Sequence, residues 1–90
     1  MKTLHILVSG IVQGVGFRYF AYKTALRLNI KGWVRNLPDG RVEIMAQGSE
    51  SALREFVKQL RIGPRFATVK SVRVEEKLDE PEYDQFDITY

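Results

Sequence analysis

A glycine-containing junction near the start of the chain carries the most informative chemistry. Gly14 and Gly16 follow an apolar run and directly precede a segment with helical periodicity. Glycine lets the backbone turn its N–H groups inward, and the first turn of a helix adds unpaired N–H groups and the positive end of the helix dipole. This arrangement predicts an anion cradle, with a plain tight turn as the alternative.

The junction does not match the common nucleotide-binding patterns. Tyr19 stands where a Gly-x-Gly-x-x-Gly motif has its third glycine, and no Gly-Lys-Ser/Thr sequence follows the loop. Both motifs depend on those residues to bring the backbone close to a pyrophosphate or to reach the outer phosphates. We therefore do not expect a nucleotide to bind here.

Arg18 stands in the first turn of the predicted helix, where a cation faces the positive end of the helix dipole. This placement is unfavourable by roughly 0.3–1 kcal/mol unless an anion lies nearby. A guanidinium beside backbone donors can bind two phosphate oxygens through its planar fork, which an ammonium cannot imitate. We interpret Arg18 as an anion-binding residue. The alternative is a surface arginine that points to water.

Asn36 ends a predicted strand directly before a turn at residues 37–40. Asn at such a position commonly closes a local Asx turn. In the fold that the periodicity predicts, the end of this strand can approach the glycine loop, and an amide there can hold a water molecule. Both interpretations of Asn36 stay open at this point.

Apolar periodicity predicts the elements that position these residues. Strands are predicted at residues 4–12, 30–36, 41–47 and 69–74, and Phe86, Ile88 and Tyr90 alternate as a short final strand. Helical spacing starts at Phe17 and continues to Leu28. A second helix follows the capping oxygens of residues 49–51 and stops at Gly63 and Pro64.

The order of these elements is β-α-β-β-α-β with an added strand. This order predicts an α+β fold of the ferredoxin-like, split β-α-β type, in which both helices cover one face of an antiparallel sheet. Ninety residues suffice for one modest core, so residues 1–90 are expected to form a single domain.

Charge is distributed unevenly along the chain. Residues 1–74 hold 13 Lys and Arg against 4 Asp and Glu, whereas residues 75–90 hold 1 against 7. The basic body is expected to attract anions, while the acidic end partly neutralises it. The alternative is an ordinary solvated surface with a charged loop.

The inventory of reactive residues excludes several kinds of site. The chain has no Cys, which removes thiolate nucleophiles, thiolate zinc sites and disulfides, and is compatible with a reducing compartment. The single histidine, His5, lies within a predicted strand, and no His, Asp and Glu cluster has metal-ligand spacing. The short apolar start is too interrupted for a signal peptide or a membrane span. We expect a cytoplasmic monomer without a metal or other cofactor.

Two other classes of protein share parts of this pattern. RNA-recognition domains have the same order of elements, but their third strand carries stacking aromatics on the open sheet face. Here that face is predicted to carry Arg41, Glu43, Met45 and Gln47, so no nucleic-acid partner is expected. A non-catalytic domain could also hold a phosphate in the same cradle, and only turnover distinguishes it from an enzyme.

Two long segments of the sequence resemble the signatures of the acylphosphatase family. They are Gly-Ile-Val-Gln-Gly-Val-Gly-Phe-Arg at residues 10–18 and Gly-Trp-Val-Arg-Asn-Leu-Pro-Asp-Gly-Arg-Val at residues 32–42. The similarity extends over nearly the whole chain, including Gly48 and the Gly-Pro pair at residues 63 and 64. The resemblance implies a ferredoxin-like fold, with Arg18 as the phosphate-binding residue and Asn36 as the residue that orients the attacking water. It also implies that the loop from Gln13 to Phe17, which contains Gly14, Val15 and Gly16, cradles the phosphate together with Arg18.

The residue inventory agrees with the substrate class that the resemblance implies. A site without a metal, a thiol or an evident general acid is poorly equipped to expel an alkoxide. The leaving group of an acyl phosphate is a carboxylate, whose conjugate acid has a pKa of roughly 4 and needs no proton donor. The expected small-molecule partners are an acyl phosphate as substrate and inorganic phosphate as product and inhibitor.

Overall fold

The computed structural model describes residues 1–90 and confirms the predicted order of elements. The seven elements are β1 (Lys2–Ile11), α1 (Phe17–Arg27), β2 (Lys31–Asn36), β3 (Val42–Gly48), α2 (Glu50–Ile62), β4 (Thr68–Lys77) and β5 (Phe86–Ile88). The fourth strand is longer than the predicted residues 69–74, because the ten-residue β1 offers it a partner along its whole length, from Ile11 opposite Thr68 to Thr3 opposite Lys77.

The sheet has the strand order β4-β1-β3-β2-β5. The first four strands pair antiparallel, as the sequence predicts. The added strand β5 pairs parallel with β2, with Gly32 opposite Phe86, so the complete sheet is mixed. Only β3 separates β1 from β2, and this brings the loop after β1 close to the end of β2.

The hydrophobic core lies between one face of the sheet and both helices. Alternate sheet residues such as Ile6 and Val34 join Phe17 of α1 and Phe56 of α2 in one buried cluster. The Phe56 ring meets the Phe86 ring edge-on at a centroid distance of 6.2 Å, which ties β5 to this core. None of the helices has the length and apolar character needed to cross a membrane.

The opposite face of the sheet is less open than the sequence suggests. Gln47, on this face, is buried. Its Nε2 donates to Thr3 Oγ1 and to the carbonyl oxygen of Pro81, and its Oε1 accepts from the backbone N–H of Tyr83. The acidic segment at residues 78–85 therefore packs against one end of this face. Glu43 remains on this face and binds His5 at 2.7 Å.

Candidate active site

The glycine loop, the start of α1, the end of β2 and the C-terminus meet at one cleft. Its volume is about 300 Å³. The cleft brings together the two residues predicted to act, Arg18 and Asn36, although 18 positions separate them along the chain. The lining residues are Val12, Gly14, Gly16, Phe17, Arg18, Tyr19, Asn36, Ile88 and Tyr90.

The glycine loop has the backbone conformation that the sequence predicts. Gly14 and Gly16 have φ angles of 75° and 79°, in the left-handed region that residues with a Cβ avoid. A Cβ built on either residue meets no atom within 4 Å, so the glycines are needed for the turn itself and not for close packing. Both glycines line the cleft.

The first turn of α1 contains no group that satisfies its backbone donors. Gly16 occupies the N-cap without a side-chain hydrogen bond, and the first turn holds no acidic residue. In α2, by contrast, Ser49 accepts a hydrogen bond from the Ala52 N–H, and Glu50 lies in the first turn. The N-terminus of α1 thus presents donors and a positive dipole end to the cleft, which suits an anion.

The Arg18 guanidinium is held at one side by the end of the chain. Its Nη1 donates to the carbonyl oxygen of Thr89 at 3.3 Å, and its Cζ lies 4.7 Å from the centre of the Tyr90 ring. An arginine has five N–H donors, so these contacts leave most of the fork available to a ligand. Arg18 is therefore a half-buried residue of the cleft lining that makes contacts within the protein.

Asn36 does not close a local turn. Its side chain makes no hydrogen bond within the protein, and its Oδ1 is buried without a donor. The turn hydrogen bond comes from Asp39, whose Oδ1 accepts from the Arg41 N–H at 3.1 Å. Because a buried polar atom without a partner is unfavourable by about 1–3 kcal/mol, such an atom beside a cleft calls for a role other than local structure.

The remaining cradle residues are placed differently from Gly14 and Gly16. Phe17 is 1% exposed and anchors the start of α1 in the core, and it is also part of the cleft lining. Val15 packs against the core, and the Gln13 side chain turns toward the β2–β3 hairpin. Neither Gln13 nor Val15 lines the cleft.

The titratable groups with displaced pKa values lie outside the cleft lining. A hydrogen bond from Arg41 holds the pKa of Asp39 below its ordinary value, so the hairpin loop carries an ion pair and not a poised acid. Burial raises the pKa of Glu43, but hydrogen bonds from His5 and Arg35 outweigh it and the net pKa is lowered. No group of three or more His, Cys, Asp or Glu side chains is arranged to hold a metal ion.

Sequence reasoning missed the part of the site that the C-terminus supplies. The alternation of Phe86, Ile88 and Tyr90 predicts a strand but does not reveal its neighbour. Pairing with β2, extended by a hydrogen bond from the Thr89 N–H to the Val34 carbonyl oxygen, places Ile88 and Tyr90 at the cleft. No local pattern in the sequence signals this pairing.

Fold and site together define a small ferredoxin-like protein with a cleft at its first strand–helix junction, lined by Arg18 and Asn36. The sequence model of the acylphosphatase family matches residues 4–88. An acylphosphatase from Archaeoglobus fulgidus is 50% identical over 90 residues, which is 100% of both chains. An acylphosphatase from Thermotoga maritima is 51% identical over 90 residues, covering 100% of this chain and 99% of its own.

Solved structures agree with the sequence comparisons. The crystal structure of acylphosphatase from Bacillus subtilis matches this fold with a TM-score of 0.97, at 43% identity and with 100% of both chains covered. The chain therefore belongs to the acylphosphatase family, a family of hydrolases that act on acyl phosphates.

Proposed function

We propose that this cleft hydrolyses acyl phosphates to a carboxylate and inorganic phosphate, by in-line attack of water on a phosphate that the protein holds in place. The observation that carries the proposal is the convergence of three groups: the donors at the start of α1, the Arg18 fork and the unpartnered amide of Asn36. Each group matches one requirement of phosphoryl transfer.

The phosphate is held by Arg18 and by the backbone N–H groups of the loop from Gln13 to Arg18. In phosphoryl transfer, negative charge is spread over the three equatorial oxygens of the transferred group. Donors that are fixed before the reaction stabilise this charge without reorganising during it. The contacts of Arg18 with Thr89 and Tyr90 support this role, since they fix the guanidinium beside the loop.

The attacking water is held by Asn36. The Asn36 side chain is a neutral hydrogen-bonding group, and its Nδ2 can donate to a water without carrying charge. No contact within the protein competes for this amide. The water oxygen attacks phosphorus, the bond from phosphorus to the acyl oxygen breaks, and the water proton passes to a phosphate oxygen of the substrate.

The leaving group removes the need for a general acid or a metal. A carboxylate departs as a stable anion, because its conjugate acid has a pKa of roughly 4. An alkoxide departs only with a proton donor or a Lewis acid. We therefore expect the reaction to be independent of metal ions and selective for acyl phosphates over alkyl phosphate esters.

The test is hydrolysis of benzoyl phosphate in the presence of EDTA, compared with hydrolysis of an alkyl phosphate monoester. We expect the first rate to be unchanged by EDTA and the second to be undetectable. Loss of activity with EDTA would contradict the metal-independent mechanism, and equal rates on both substrates would reveal an overlooked acid. Phosphate binding without turnover would reduce the cleft to an anion-binding site.

A further inference from the structure

The Gln13 side chain joins the glycine loop to the β2–β3 hairpin. Its Nε2 donates to the carbonyl oxygen of Leu37 at 2.8 Å and to the carbonyl oxygen of Arg41 at 2.9 Å. These two carbonyls belong to the two ends of the hairpin loop, which is closed by a hydrogen bond from the Leu37 N–H to the Arg41 oxygen at 2.8 Å. A single amide group thus binds both sides of the base of this loop.

The position of this contact relates it directly to the cleft. Gln13 immediately precedes Gly14, the first cleft-lining glycine, and Leu37 immediately follows Asn36. No other hydrogen bond joins residues 12–16 to the hairpin. The sheet places the end of β1 near Asn36, because Val42 of β3 lies opposite both Val8 and Asn36. Beyond this pairing, the Gln13 amide is the hydrogen-bonded link between the cradle and the hairpin.

We propose that Gln13 is a positioning residue, which sets the distance between the phosphate cradle and the Asn36 amide that holds the water. This inference rests on the proposed function, since it assigns Gln13 a task in that reaction. The cradle and Arg18 bind the phosphate on one side of the cleft, and Asn36 places the water from the other. Without the two hydrogen bonds the loop after β1 can shift relative to the hairpin, although the sheet still joins the strands. An in-line geometry that needs a reacting distance of about 3–3.5 Å is then reached less often.

The proposal predicts a loss of kcat without a matching loss of phosphate binding. Gln13→Leu keeps the approximate shape and removes both donors, and we expect kcat to fall about 10–100-fold, as for a misplacement on the order of 1 Å. The inhibition constant of inorganic phosphate should stay within about threefold, because the variant keeps Arg18 and its charge-assisted hydrogen bonds to phosphate. Gln59→Leu is the matched control, because Gln59 makes its hydrogen bond within α2, to Glu55.

A second variant tests the hydrogen bond itself. In Gln13→Glu the ionised carboxylate faces two carbonyl oxygens and cannot donate, whereas the protonated acid can donate to one of them. Within residues 12–18 and 37–41 the charged side chains are Arg18, Asp39 and Arg41, and Asp39 is already paired with Arg41. In the adjoining strands, Arg35 is paired with Glu43. The kcat of Gln13→Glu relative to the parent at the same pH should therefore recover as pH is lowered from about 7.5 to about 5, since facing carbonyls raise the pKa of a carboxyl group. Gln13→Leu should show no such recovery.

The results that overturn the proposal are distinct from failure of the proposed function. A folded Gln13→Leu variant with the kcat of the parent excludes the positioning role, and so does a kcat loss that pH does not reverse in Gln13→Glu.

If the parent does not hydrolyse benzoyl phosphate, the proposed function fails, and an NMR titration with inorganic phosphate decides about Gln13. In the parent, phosphate should shift both the cradle amides and the Asn36 side-chain amide. In Gln13→Leu, phosphate should shift only the cradle amides. A shift of the Asn36 side-chain amide equal to that in the parent would show that Gln13 does not set its position relative to the cradle.

Discussion

Arg18 and Thr89 are joined by a hydrogen bond that spans 71 positions of the chain, from Nη1 to the Thr89 carbonyl oxygen at 3.3 Å. The neighbouring Tyr90 ring lies against the same guanidinium. The C-terminus therefore limits the orientations of Arg18 while occupying only part of its donor set. Preorganised donors stabilise developing charge more effectively than mobile ones, so these contacts suit the role proposed for Arg18.

Replacing the Tyr90 ring should loosen Arg18 without removing its charge. A cation–π contact at an exposed site is worth about 0.5–1 kcal/mol, so Tyr90→Ala should lower kcat/KM about 2–5-fold. Tyr90→Phe keeps the ring and should retain the parent value. Steady-state kinetics on benzoyl phosphate measure both. Equal kcat/KM for Tyr90→Ala and the parent would mean that the ring does not position Arg18.

Arg18 itself should be sensitive to geometry as well as to charge. Arg18→Lys keeps the positive charge but loses the fork, so its activity should fall nearly as far as that of Arg18→Ala, by at least about 100-fold. Inhibition by inorganic phosphate should weaken in both variants. Arg27→Lys, at the exposed end of the same helix, is the matched control. Unchanged phosphate inhibition in Arg18→Ala would show that the phosphate binds elsewhere.

The Glu43 carboxylate should stabilise the fold in a pH-dependent manner. Its pKa in the folded protein lies below the ordinary value of 4.5, because hydrogen bonds from His5 and Arg35 outweigh the effect of burial. A lowered pKa means that the stabilisation is present above about pH 4.5 and disappears as pH falls through the folded-state pKa. Glu43→Gln should therefore lose about 1–2 kcal/mol at pH 7 and little at pH 3.

Denaturant unfolding of the parent and Glu43→Gln at both pH values measures this difference. Asp84→Asn serves as the control, because it removes a carboxylate that has no hydrogen-bond or ion-pair partner in the protein. A stability difference that is the same at pH 3 and pH 7 would show that packing and not charge accounts for the effect of Glu43.

The sequence predicts this fold well because its main determinants are local. The apolar stripe of α2, the Ser49 cap and the Gly63 stop each depend on residues a few positions apart, and the structure has all three. The turn around Asp39 is local as well, although its hydrogen bond comes from Asp39 and not from Asn36. Local rules and tertiary packing agree at these positions.

The parts that sequence reasoning could not reach are contacts between distant segments. Side chains such as Gln13 and Gln47 could form hydrogen bonds in many folds, and only the register of the completed sheet decides their partners. The same is true of Tyr90, whose place beside Arg18 follows from the parallel pairing of β5 with β2. Arg18 could be singled out from the sequence because a cation in the first turn of a helix conflicts with the helix dipole, and such conflicts concentrate at functional sites. Gly14 and Gly16 could be singled out because glycine permits the turn before that helix.

Asn36→Ala offers the sharpest separation of a catalytic from a structural role. If Asn36 holds the attacking water, its loss should lower kcat about 10²–10³-fold, as for other polar groups at a reacting centre. The phosphate inhibition constant should stay within a few-fold, since Arg18 and the loop amides hold the phosphate. The denaturation midpoint should equal or exceed that of the parent, because the variant removes a buried oxygen that has no donor.

Asp39→Ala is the control for the same hairpin. It removes the hydrogen bond that closes the turn and the ion pair with Arg41, so it should lower the denaturation midpoint and leave kcat close to that of the parent. Asn36→Ala should thus lower kcat and keep the denaturation midpoint, whereas Asp39→Ala should keep kcat and lower the midpoint. Measuring kcat, phosphate inhibition and the midpoint on the same preparations checks both expectations. An Asn36→Ala variant with normal kcat and a lowered midpoint would make Asn36 a structural residue, and the water would then have to be held by another group in the cleft.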